Sequence, residues 1–180
     1  FAALQERVPH VLVTHPNGPR DNIALYALMG AVFDREQRAQ ELVETLEVAL
    51  ARVARAASGL APRRVLYLIW REPWMTVARD TYISNMLAVL GWQTVPTHSA
   101  LRYPVIASEA LATLGADLCL LSSEPYPFRD KHIAELKALL GGATPVQLID
   151  GEMVSWYGSR AIAGLEYLAD YAGALNASAA

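Results

Sequence analysis

The sequence predicts an α/β protein of two lobes with largely parallel sheets, joined by a single long backbone helix, the first lobe being incomplete. Three observations carry that expectation. From residue 64 onward, short apolar runs alternate with helical stretches, the pattern of βα units in a parallel sheet. From about Asp34 to Ala57 one helical period runs unbroken, and at 1.5 Å per residue it would span roughly 36 Å. Ahead of that helix stand only one strand-like run and parts of two helices, too little to close a sheet. The division that follows is 1–33 as the C-terminal remnant of a first lobe, 34–58 as the bridging helix, and 59–180 as a complete second lobe. The chain opens on Phe1 rather than Met, in what reads as mid-helix. A natural start upstream is therefore expected, with any export signal lying there.

Ala2–Arg7 reads as the end of a helix. Val8–Thr14 is β-rich and follows a proline boundary, so it reads as a strand. His15-Pro-Asn-Gly-Pro-Arg20 has turn chemistry. Asp21 or Asn22 can cap the next helix, with Leu25, Leu28, Met29 and Val32 on one face. In the long helix Leu42, Val43, Leu46, Leu50, Val53 and Ala54 keep the 3–4 spacing, while Arg38, Glu41, Glu44, Glu47 and Arg55 take the wetter positions. The heptad pattern is not sustained, so a coiled coil is excluded. Arg64–Trp70 is a nearly continuous apolar run, as expected of a parallel strand covered on both faces. A helix over about 81–90 stops at Gly91, and Trp92–Val95 is a short strand. Ser108 caps a short helix to Leu114. Asp117–Leu121 and Thr144–Ile149 are buried strands, separated by a helix over 130–140 that Gly141-Gly142 closes. Ser159–Leu175 is the last helix.

Composition narrows the function. The chain has 180 residues, 53% hydrophobic and 18% charged, which excludes a disordered tail. Lys+Arg number 15 against 18 Asp+Glu, a net charge of −3. No basic excess exists to neutralise a phosphate backbone, so nucleic acid is not the expected partner. The longest apolar stretch, Ile23–Phe33, is shorter than the ~18 residues of a membrane span. The lone Cys119 excludes an internal disulfide framework and a Cys-rich zinc site, and its apolar surroundings in sequence read as core.

In open α/β sheets ligands bind beyond the carboxyl ends of the strands. The segments there are Trp70–Thr76, Ser122–Phe128 and Asp150–Arg160, with a further loop at Ala100–Pro104. They hold Trp70, Trp74, Tyr103, Tyr126, Phe128, Trp156 and Tyr157, although aromatic residues are only 8% of the chain. Large flat side chains at strand ends suit a large, partly apolar ligand; capping the sheet as core is the plainer alternative. Prolines 73, 104, 125 and 127 stiffen the loops. Arg71, Arg102 and Arg160 could meet acidic or amide groups.

Enzyme signatures are absent. There is no Gly-rich phosphate loop, no dinucleotide fingerprint and no nucleophile elbow at Ser122-Ser123. His10, His15, His98 and His132 show no metal-ligand spacing, so neither a metal nor a cofactor is expected. Asp150 and Glu152 form a carboxylate pair that an α/β enzyme could use in acid/base work. A helix-cap role, or an ion pair with Arg160, is the simpler reading.

Taken together, Arg64-Val-Leu-Tyr-Leu-Ile-Trp-Arg-Glu-Pro-Trp-Met75, Arg102-Tyr-Pro104, Leu121-Ser-Ser-Glu-Pro-Tyr-Pro-Phe128 and Asp150-Gly-Glu-Met-Val-Ser-Trp-Tyr-Gly-Ser-Arg160 resemble the cobalamin-binding type of ABC-transporter substrate-binding protein. That type belongs to a helical-backbone class which also holds siderophore and haem receptors. The resemblance covers about residues 1–176 and is strongest over 64–160. It implies two α/β lobes clamping a ligand, with no catalysis. The expected partners are a corrinoid, carried as cargo rather than cofactor, and an ABC permease in the membrane. The implied location is periplasmic or otherwise extracytoplasmic. A ferric siderophore or haem is the alternative cargo. The resemblance makes Tyr103 the aromatic facing the corrin and Glu109 the glutamate that docks on permease arginines. It also makes the 70–76 and 150–157 loops ligand-facing. Trp70, Arg71, Trp74, Arg102, Tyr103, Tyr126, Glu152, Trp156 and Tyr157 are the expected ligand-binding residues. The family carries a further first portion of the N-terminal lobe that has no counterpart here.

Overall fold

The structure is a computed structural model and describes residues 7, 8 and 10–179. Two helices come first, α1 (Asp21–Phe33) and α2 (Glu36–Ala57). The Asp21 carboxylate ties the turn before α1 by accepting from the Asn17 and Gly18 N–H groups at 2.7 and 2.9 Å. Asp34, in the left-handed region at φ 52°, ends the helix. Gly30 lets α1 and α2 meet closely, since a Cβ there would stand 2.6 Å from the Ala39 methyl. Along α2 the buried residues Ala39, Leu46, Ala49, Leu50 and Val53 form one stripe.

The strands are β1 (Arg64–Trp70), β2 (Trp74–Thr76), β3 (Gln93–Thr94), β4 (Val105–Ile106), β5 (Leu118–Ser122) and β6 (Val146–Ile149). The remaining helices are α3 (Tyr82–Ala88), α4 (Asp130–Leu139), α5 (Gly151–Ser155) and α6 (Arg160–Ala179). The sheet runs β4-β2-β1-β5-β6. β1, β5 and β6 are parallel, with Val65 opposite Leu118 and Cys119 opposite Val146. On the other flank of β1, β3 pairs parallel with its start and β2 antiparallel with its end.

Side-chain alternation divides the core. Val65, Tyr67, Leu118 and Leu120 pack with α1, α2, α3 and α6 on one face. Leu66, Leu68, Cys119 and Leu121 pack with Trp74, Phe128, Leu136 and Leu140 on the other. These eight strand residues are wholly or almost wholly buried, as the two-sided reading of β1 and β5 required. The α/β expectation therefore holds.

Several local expectations are corrected. Residues 10–14 form no strand, and Leu12 and Val13 are more than half exposed. A β-prone segment becomes a strand only when it finds a partner, and among the described residues every strand lies beyond residue 63. The helix end expected over Ala2–Arg7 falls, apart from Arg7, outside the described residues. Trp70–Thr76, read as a loop, instead folds back so that β2 pairs with β1, and β4 extends the sheet beyond it. The sheet is thus more mixed than expected. Thr76 Oγ1 donates to the Tyr67 carbonyl at 2.8 Å and holds that return. Ser108 caps nothing; two short 3₁₀ turns, Ser108–Ala110 and Ala112–Leu114, replace the expected helix.

Candidate ligand-binding site

The loops after β5 and β6 converge through a connected set of hydrogen bonds, and Trp70 at the end of β1 meets the β5 loop by ring contact. Asp150 caps α5, its Oδ1 accepting from the Glu152 and Met153 N–H groups at 3.0 and 3.3 Å. The Gly151 N–H donates to Ser123 Oγ at 2.9 Å, and the Asp150 N–H to the Tyr167 hydroxyl at 3.1 Å. Glu124 reaches across from the β5 loop: its Oε1 accepts from Ser155 Oγ at 2.9 Å and from Trp156 Nε1 at 2.7 Å. Farther along, the Gly158 N–H donates to Asn22 Oδ1 at 2.7 Å, and the Tyr26 hydroxyl donates to the Gly158 carbonyl at 2.8 Å. Asn22 is buried and also donates to the Pro19 carbonyl and to the Tyr82 hydroxyl. Helix α1 thereby holds the turn just beyond Trp156 and Tyr157.

The expected site residues fall into distinct environments. Trp70, Trp156, Tyr157 and Tyr103 are 40%, 52%, 49% and 47% exposed. Trp70 meets the half-buried Tyr126 edge to face at 5.7 Å. Tyr157 meets Tyr82 in the same manner at 5.9 Å. Trp74 lies inside, stacked on Phe128 at 6.3 Å, with its N–H directed to Ser108 Oγ at 3.2 Å. Arg102 bonds His15 Nε2 at 2.8 Å, and its carbonyl accepts from the Ala78 N–H. Arg71 is bound by both carboxylate oxygens of Glu135 and by Glu72, contacts that raise its pKa. Glu152 is ion-paired with Arg160. Glu109 is exposed on the first 3₁₀ turn.

The structure thus brings Trp70 to Tyr126, and Trp156 to the same β5 loop through Glu124. Asp150 and Glu152 are occupied as cap and ion pair. Among the described residues no group of His, Cys, Asp and Glu is placed to hold a metal ion. Burial pushes the phenols of Tyr26 and Tyr82 up to about 12. The neutral hydroxyls are therefore the working hydrogen-bond groups at ordinary pH.

Sequence reasoning passed over Tyr26 and Tyr82, gave Asn22 only a helix-cap role, and counted Glu124 only among the carboxylates of the loops. Asn22 and Tyr26 stand four apart in a helix that is otherwise nearly all apolar, and that spacing puts both on one face. Glu124 is the second residue beyond β5 and precedes the Pro-Tyr-Pro run.

Over residues 3–139 the chain matches the family described as Periplasmic binding protein. It belongs to that family, which is one of substrate-binding transport proteins rather than enzymes. No curated protein sequence matches it. Among solved structures, the periplasmic vitamin B12 binding protein BtuF of Vibrio cholerae is similar at a TM-score of 0.78 and 13% identity, over 97% of this chain and 69% of that one. The periplasmic haem-binding protein RhuT from Roseiflexus sp. gives 0.72 and 17%, over 88% and 64%. The ABC-type Fe3+-hydroxamate transport system from Saccharomonospora viridis gives 0.64 and 20%, over 87% and 56%. The identities are low, so the likeness is one of fold. The family works outside the cytoplasm, and no helix among the described residues is long and apolar enough to cross a membrane.

Proposed function

We propose that the protein captures a corrinoid, cobalamin or cobinamide, outside the cytoplasm and delivers it to an ABC permease. One observation carries the choice of ligand. Two of the three expected loop arginines are neutralised by carboxylates, Arg71 by Glu135 and Glu72 and Arg160 by Glu152, while Arg102 is hydrogen-bonded to His15. The loops therefore offer exposed aromatic faces and carboxylates with little free positive charge. That suits a large flat ligand whose rim is uncharged and amide-rich. It suits less well one carrying several carboxylates, for which Arg102 alone of these three arginines is free of a carboxylate partner among the described residues.

In this reading Trp70, Tyr103, Trp156 and Tyr157 supply aromatic surface, and the stiff loops lower the ordering cost of binding. Tyr126 supports Trp70, and Trp74 shapes the site from within. Glu109 is the permease contact. Parallel titrations with cobinamide, cyanocobalamin, haemin and a ferric hydroxamate test the choice. Saturable binding of the corrinoids at micromolar levels or below is expected. Binding of haemin or the hydroxamate without corrinoid binding reassigns the cargo to the siderophore or haem type.

A further inference from the structure

The side chain of Trp156 is anchored more firmly than its position demands. Half of it is exposed, and an exposed indole can satisfy its N–H with water while moving among rotamers. Here the N–H is taken by a carboxylate oxygen of Glu124 at 2.7 Å, and the same oxygen accepts from the neighbouring Ser155 hydroxyl at 2.9 Å. Charge-assisted bonds of this kind are roughly twice as strong as neutral ones.

Glu124 is itself fixed from beneath. The buried Tyr67 hydroxyl donates to Ser122 Oγ at 3.0 Å, and Ser122 Oγ donates to the Glu124 carbonyl at 2.5 Å. Burial raises the Tyr67 pKa well above its ordinary value, so this donor stays protonated across the physiological range. Gly151 packs so closely that an added Cβ would lie 2.8 Å from Glu124 Cγ. A line of contacts therefore runs from the sheet interior through Tyr67, Ser122 and Glu124 to the exposed indole.

We propose that Glu124 is a positioning residue, holding the Trp156 ring in one orientation before ligand arrives. It acts through Trp156 rather than by touching the ligand. The proposal rests on the reading of Trp156 as ligand-facing. Fixing an aromatic surface in advance removes the ordering cost from the binding step. A glutamine can keep the accepting oxygen in place; an alanine cannot.

The test reads the anchor and the affinity separately. With 15N-labelled tryptophan, the Trp156 indole signal is assigned through Trp156→Phe. In the wild-type protein its N–H proton is expected downfield of a water-exposed indole and slow to exchange. Glu124→Gln retains slow exchange, whereas Glu124→Ala moves the signal to the exposed position and leaves the Trp70, Trp74 and Trp92 signals in place. Calorimetric titration uses cyanocobalamin and haemin as probes. For whichever binds, Glu124→Gln is expected within about threefold of wild type and Glu124→Ala weaker by roughly tenfold. Adding Glu124→Ala to Trp156→Ala should cost nothing further.

An unmoved indole signal in Glu124→Ala, or full affinity in that variant, overturns the proposal. So does a Glu124→Gln variant as weak as the alanine, which would mark direct charge contact with ligand. Wild-type protein binding neither probe overturns the corrinoid reading, and the positioning role falls with it. Loss of the expected pattern in the variants alone, with wild-type binding intact, overturns only the positioning role.

Discussion

A Cβ on Gly151 would stand 2.2 Å from Ser122 Oγ and 3.0 Å from the Glu124 nitrogen. Neither neighbour is a free side-chain end, because Ser122 is buried and bonded from both sides. Gly151→Ala should therefore destabilise the protein by about 2–3 kcal/mol through overpacking, seen as a lower urea midpoint. A shift under about 0.5 kcal/mol, the usual effect of a surface change, would show that the β6–α5 junction gives way freely. The buried phenols make a separate prediction. Tyr26, Tyr82 and Tyr171 are pushed up to about 12 by burial, from an ordinary value of 10.0. Their contribution to stability is complete below pH 10. Above it the unfolded chain loses protons that the folded chain keeps, so stability falls as pH rises toward 12. Urea midpoints flat across that window would contradict the burial argument.

At the scale of elements, helices α2 and α6 lie against each other and are joined in two ways. Leu46 and Val53 sit in the common core with Leu165 and Leu168, all essentially without exposure. Outside that seam, Arg52 spans Glu166 and Asp170. Leu46→Ala is expected to cost about 2–5 kcal/mol. Arg52→Ala should leave the urea midpoint nearly unchanged, because its partners are solvated and the pairing is screened. The reverse order would mean that the ion pairs, not the seam, hold the helices together.

The same contrast explains how much of the fold could be read beforehand. Periodicity finds an element whose partner is a continuous apolar surface, and α2, β1, β5 and α4 were legible for that reason. It does not find β2 and β4, whose pairing depends on a chain reversal at Glu72-Pro73 and on Thr76 bonding back to β1. It also makes too much of the Val8–Thr14 run, of which residues 10–14 pair with no strand among the described residues. The candidate site divides likewise. The exposed aromatics follow from the rule about strand ends, but the groups that fix them do not. Asn22, Tyr26 and Glu124 act across separations of 136, 132 and 32 residues.

For the whole molecule, the proposed function gives cargo binding and permease docking to different residues. Glu109 is exposed and stands outside the hydrogen-bonded loops around Trp156. Glu109→Ala is expected to bind corrinoid normally and to impair uptake when reconstituted with its permease. Weakened cargo binding with normal uptake kinetics would contradict that division.

The bonds from Asn22 and Tyr26 to Gly158 have a consequence for how the chain survives cutting. Asp34 and Arg35 form an exposed turn between α1 and α2. A protease that nicks this turn severs the peptide but not the grip of α1, which keeps Gly158 through two hydrogen bonds and Tyr26 in the core. The nicked halves should travel together on a sizing column and part only in denaturant. The N-terminal helix would then behave as a tightly held peptide cofactor of the remainder, and a synthetic 7–34 peptide should restore the structure of a chain that begins at residue 35.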